Sequence, residues 1–104
     1  MSRLSLTIAA LALGVAATPA FASLQLAQKN ACTACHATDK KLVGPSYADV
    51  AKKYAGQKDA LNTLKASIKA GGSGKWGPVP MPPQAQLSDA DLTALAQWIL
   101  AGGK

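Results

Sequence analysis

Apolar residues recur at helical spacing in four stretches of the chain, and nowhere do they alternate with polar ones long enough to suggest a strand. Leu24, Ala27 and Ala31 predict a short first helix over residues 24–32. Ser46-x-x-Asp49 has the form of a capping box and opens a second helix, which carries Tyr47, Val50, Ala51 and Tyr54 on one face and stops at Gly56. A third begins near Asp59, with Leu61, Leu64 and Ile68 inward and Lys58, Lys65 and Lys69 outward, and ends at Gly71-Gly72. The last has the clearest pattern: Ser88-x-x-Asp91, then Leu92, Leu95, Ala96, Ile99 and Leu100, closed by Gly102-Gly103. The prediction is an all-α domain of about four helices.

Residues 73–87 interrupt this pattern with four prolines and two glycines, which neither a helix nor a central strand accommodates. A loop this long in a small domain is either disordered or functional. With Trp76, Val79 and Met81 among its prolines, this one is too apolar for a solvated linker.

The start of the chain has a different character. Arg3 precedes an uncharged, largely apolar run over residues 4–17, and Ala20-Phe21-Ala22 has the A-x-A form of a cleavage site, which predicts a secretory signal peptide over residues 1–22. A membrane-spanning helix needs roughly 20 apolar residues, and Pro19 breaks the run first. Cleavage leaves residues 23–104 as one domain of about 82 of the 104 residues, with no stable membrane anchor. At that size the core alone gives marginal stability. Export to an oxidising compartment, the periplasm in a bacterium, makes a disulfide one candidate for reinforcement.

The spacing of the two cysteines points elsewhere. Cys32-Thr33-Ala34-Cys35-His36 is the C-x-x-C-H pattern of c-type haem attachment. Two thiols about one helical turn apart can add to the two vinyl groups of one porphyrin, while the next residue reaches the iron. A thioredoxin-like redox pair expects a βαβ context, and a zinc site expects further ligands; beyond this motif the chain has no other cysteine or histidine. A lone histidine is usually a surface or core residue, but His36 directly follows Cys35. A ligating imidazole normally donates its second N–H to a carbonyl, and the backbone carbonyl of Pro45 is the expected acceptor.

The sixth iron position decides between carrier and catalyst. Met81 is the one methionine left after processing. Methionine is usually flexible core filler, yet here it sits in Pro80-Met81-Pro82-Pro83, a stiff segment suited to presenting a thioether to a metal. Ligation by His36 and Met81 closes the iron to substrate, so the protein is read as an electron carrier rather than an enzyme.

Taken with Val43-Gly44-Pro45-Ser46-Tyr47, the run from Asp49 to Gly56, Trp76-Gly77-Pro78-Val79-Pro80-Met81-Pro82-Pro83 and Ala96-Gln97-Trp98-Ile99-Leu100, the chain resembles the short bacterial class I cytochromes c, soluble periplasmic respiratory carriers, over essentially all of residues 23–104. The resemblance implies a class I cytochrome c fold around one haem c bonded through Cys32 and Cys35, with first and last helices crossing near Trp98. It also implies a monomer in which the Trp76 indole reaches a haem propionate. Some members place an arginine where this chain has Ser67, which leaves the propionate without that partner.

Charge narrows the partners. The formal net charge of +6 falls to +5 once Arg3 leaves with the leader, before the haem adds its own charges. No nucleic-acid motif or interleaved aromatic and basic stripe accompanies the lysines. Steering toward acidic redox proteins fits better, with a terminal oxidase, nitrite reductase or cytochrome peroxidase as acceptor and a quinol-oxidising complex upstream. Docking is expected on an apolar patch around the haem edge, drawn from the Cys32 to Cys35 turn and the loop over residues 78–83 and rimmed by lysines. Two rival classes are a haem enzyme or gas sensor with a displaceable sixth ligand, and a fixed haem subunit of a respiratory complex.

Overall fold

The computed structural model describes residues 19–104, which form four α-helices: α1 (Pro19–Lys29), α2 (Tyr47–Tyr54), α3 (Ala60–Ala70) and α4 (Asp89–Leu100). No strand occurs among the described residues; pairing is limited to isolated bridges at His36 and Lys41 and at Gly72 and Met81. Arg3 and the apolar run over residues 4–17 lie outside the described residues. Ala22 and Ser23, the expected cleavage pair, lie within α1.

Serine caps set two of the helix starts. Ser46 and Ser88 are extended, and their hydroxyls accept the amides of Asp49 and Asp91 at 3.0 and 3.1 Å, satisfying donors that have no partner inside the helix. Asp89 and Asp91 add negative charge where the α4 dipole is positive. The third helix starts beside Asp59 as expected, but without a side-chain cap: the Asp59 carboxylate accepts from the Asn62 side-chain amide at 3.0 Å.

The first helix departs most from expectation. It ends at Lys29 rather than running to residue 32: the Asn30 amide still reaches the Leu26 carbonyl at 3.1 Å, with the Asn30 side-chain amide on the same oxygen at 2.9 Å, but the Ala31 amide turns to Gln28 at 3.1 Å and the four-residue ladder is lost. Ala31 then adopts a left-handed conformation with φ 60° and is exposed, not in line with Leu24 and Ala27. The reversal starts a separate 3-10 turn over Cys32–Ala34.

α4 is the common partner, since α1, α2 and α3 each pack against it. Its Leu92, Leu95, Ala96, Trp98 and Ile99 are buried together with Ala27 of α1, Tyr47, Val50 and Tyr54 of α2, and Leu64 and Ile68 of α3. Packing of the first helix on the last agrees with expectation, and Trp98 lies against Tyr47, with ring centroids 4.8 Å apart. Leu61, expected inward, is half-buried. Lys65 of α3 and Asp89 of α4 pair at 2.8 Å; the ammonium holds the exposed carboxyl below its ordinary pKa, and such a surface pair adds little stability.

The left-handed turn at Ala31 is tolerable for alanine or glycine but not for a β-branched side chain. Ala31→Val should lower stability in denaturant titration by about 1–2 kcal/mol, whereas Ala31→Gly should not.

Candidate functional site

The Cys32 carbonyl organises the motif by accepting the amides of Cys35 at 3.1 Å and His36 at 2.9 Å, which winds both cysteines and the histidine into one turn. Both thiols are free and half-buried, and burial pushes the Cys32 thiol up from its ordinary pKa. The turn is laced to the following loop, with the Gly44 amide on the Cys35 carbonyl at 2.7 Å and the Tyr47 amide on that of Ala37 at 2.9 Å.

That lacing positions the imidazole. His36 Nδ1 lies 2.7 Å from the Pro45 carbonyl, an acceptor only, so Nδ1 carries the proton and Nε2 keeps its lone pair. Gly44 packs directly on the ring, since a Cβ there would fall 2.5 Å from His36 Cε1. Tyr47 stacks on the imidazole itself, with ring centroids 5.6 Å apart and planes 27° apart. Its hydroxyl is buried without a protein partner, and burial pushes its pKa up to about 12.

Met81 comes from the other loop. Its amide donates to the Gly72 carbonyl at 2.8 Å and its carbonyl accepts the Gly72 amide at 3.0 Å, which ties the proline-rich segment to the end of α3. Gly71, at φ 64°, leaves no room for a Cβ against the Met81 carbonyl and the Pro82-Pro83 backbone. The half-buried Met81 side chain packs against the core.

Cys32, Cys35, His36, Pro45, Trp76 and Met81 thus line one cleft of about 300 Å³, the six residues singled out from sequence. Val50, Leu64, Ile68, Leu95 and Ile99 make its inner walls apolar. Trp76 is 38 % exposed at the rim, with the Lys53 ammonium 4.5 Å above its ring. Leu42 and Val43, 42 % and 55 % exposed, extend the apolar rim and were not singled out from sequence. Neither were Gly44 and Gly71, although both stand in segments whose composition signalled a turn, nor Lys75, whose ammonium reaches the cleft beside Ser67.

The donor set fits a covalently held haem: two thiols on one turn, an imidazole with its outer nitrogen free, a thioether on the other loop and apolar walls between. Among the described residues no group of three or more histidine, cysteine or acidic side chains is arranged to hold a metal ion such as zinc.

Comparison with known proteins agrees. Residues 24–102 match the family model described as cytochrome c. The chain is 60 % identical over 81 residues to cytochrome c-552 of Hydrogenobacter thermophilus, covering 78 % of this chain and 82 % of that protein. It is 53 % identical over 94 residues to cytochrome c-552 of Nitrosomonas europaea, covering 90 % of each. The crystal structure of the wild-type Nitrosomonas europaea cytochrome c552 superimposes with a TM-score of 0.72 at 52 % identity, covering 76 % of this chain and 98 % of that one. The cofactor of the cleft is haem c, joined through Cys32 and Cys35.

Gly44→Ala forces the imidazole away from Pro45, and should cost about 1–3 kcal/mol of stability with loss of the slowly exchanging Nδ1 proton in NMR spectra. The Tyr47 phenol is held neutral in the folded state, its pKa raised from 10.0 to about 12. That contribution to stability is therefore complete below pH 10 and lost as pH rises toward 12. Unfolding measured across this range should show the loss, and Tyr47→Phe should remove it.

Proposed function

The chain belongs to the cytochrome c family, and from that premise we propose that it is an exported one-electron carrier rather than an enzyme. When bound, the haem supplies a ferric/ferrous couple. Cys32 and Cys35 anchor the macrocycle by thioether bonds at one edge. His36 offers Nε2 to the iron, and the Pro45 carbonyl, holding the proton on Nδ1, fixes the ring and raises its basicity. Met81 offers its sulfur from a segment whose backbone is pinned to Gly72, and a soft sixth ligand raises the reduction potential.

The rest of the cleft limits rearrangement. Apolar walls from α2, α3 and α4 exclude water from the iron, while the prolines and paired backbone groups around Met81 resist movement on change of charge. With His36 Nε2 and the Met81 sulfur both committed to the iron, no position would be left there for a substrate. Trp76 directs its indole toward a propionate at the rim.

Exposed Leu42, Val43 and Val79 beside the cleft form the apolar docking patch, with Lys40 and Lys41 next to it. The basic balance steers a monomer toward acidic redox proteins: a terminal oxidase, nitrite reductase or cytochrome peroxidase on one side and a quinol-oxidising complex on the other. Contact of this kind is small and quickly reversed. No helix among the described residues is long and apolar enough to cross a membrane. The leader over residues 1–22 is removed on export to the periplasm, so N-terminal sequencing of the secreted protein should begin at Ser23.

The observation that carries this reading is the His36 to Pro45 hydrogen bond beside two free thiols in the wall of one apolar cleft. Visible spectra in both redox states, from cells competent for cytochrome maturation, test it against Met81→Ala. The wild type should show the ferric sulfur-to-iron band and no carbon monoxide binding at neutral pH; the variant should lose the band and bind carbon monoxide. An unchanged variant spectrum overturns the Met81 assignment, and rapid carbon monoxide binding by the wild type supports a sensor or enzyme instead.

A further inference from the structure

Two cationic side chains line the cleft, Lys41 and Lys75. Lys41 is bridged through its backbone to His36, on the cysteine side. Lys75 belongs to the loop that follows α3. Its ammonium donates to the Tyr54 hydroxyl at 3.1 Å and to Ser67 Oγ at 3.4 Å, and lies 5.6 Å from the centre of the Tyr54 ring.

The backbone under it is fixed as well. The Lys75 carbonyl accepts from Lys53 Nζ at 3.4 Å, and the Gly74 amide donates to the Gly77 carbonyl at 2.8 Å across a turn whose two glycines have φ 93° and 128°. An ammonium has three hydrogens to donate. Two hydroxyls occupy two of them, and both partners are neutral; the ion pair found among the described residues is elsewhere, between Lys65 and Asp89. Lys75 is thus a held charge at the mouth of an apolar cleft with one donor left for an anion.

Haem carries its anions in a known place. Its vinyl groups stand on two adjacent pyrroles and its propionates on the other two, so thioether bonds at Cys32 and Cys35 send the carboxylates toward the opposite edge of the cleft. Tyr54, Ser67, Ser73, Lys75 and Trp76 line the cleft from α2, α3 and the loop after α3, on elements other than the turn that carries the cysteines. On the haem reading above, we propose that Lys75 binds a haem propionate and sets the reduction potential, supplying from the loop the positive charge that Ser67 lacks on α3. Tyr54 and Ser67 are positioning residues that aim the ammonium.

The sign follows from electrostatics. A cation beside the macrocycle disfavours the more positive ferric state, and pairing with the propionate weakens the carboxylate's stabilisation of that state. Removing it lowers the potential.

Redox titration of the haem-loaded protein tests this with Lys75→Met, the double variant Lys75→Met/Ser67→Lys, and Lys52→Met, which removes an exposed lysine of α2 outside the cleft lining. Lys75→Met should shift the ferric to ferrous ratio toward ferric by about threefold to tenfold, tenfold being about 59 mV for one electron. Lys52→Met should shift it much less, and the double variant should recover most of the loss. A shift from Lys75→Met no larger than that from Lys52→Met, or no recovery in the double variant, overturns the proposal. The visible spectrum separates this from failure of the haem reading: intact His and Met bands in each variant leave haem binding standing, and a colourless wild type removes both.

Discussion

A small domain that keeps an apolar cleft between its helices lacks the close packing that normally stabilises a protein interior. Everything around that cleft serves to hold its walls in place. Val50, Leu64, Ile68, Leu95 and Ile99 have one side in the core and the other on the cleft, so a group seated there completes the hydrophobic core as well as supplying the chemistry. Thioether attachment suits this demand, because it keeps the missing part of the core from leaving.

The loops that carry His36 and Met81 are held in place for reasons that differ in kind. On the histidine side, stiffness comes from backbone hydrogen bonds from Gly44 to Cys35 and from Tyr47 to Ala37, and from a glycine that allows the loop over residues 37–46 to press on the ring. On the methionine side it comes from prolines that fix φ, and from a two-way bond to Gly72 that fastens them to α3. Both loops are referred to the same frame, because α2 and α3 each dock on α4. On the proposed ligation by His36 and Met81, loops held this way would move little as the iron changed charge, which is what fast electron exchange requires.

Much of this could be read in advance. Three helices follow the 3.6-residue pattern with their serine caps or glycine stops, and all six site residues converge on one cleft. The first helix was misjudged at its end because periodicity registers Ala31 as one more apolar residue, while its left-handed backbone breaks the helix. The apolar rim at Leu42 and Val43 escaped notice because exposure is not a property of a sequence window.

Sequence by itself determined the cofactor and its attachment, since the C-x-x-C-H spacing acts within a single turn and local chain geometry is enough to make it work. It also determined the helical class, through patterns that repeat within a few residues. Only the tertiary structure decided which carbonyl and which glycine support His36, and where Met81 stands relative to α3. It alone brought Lys75 to Ser67 and Tyr54, residues 8 and 21 positions away along the chain, because contacts between separate elements depend on how α2, α3 and their loops dock and leave no mark in local periodicity.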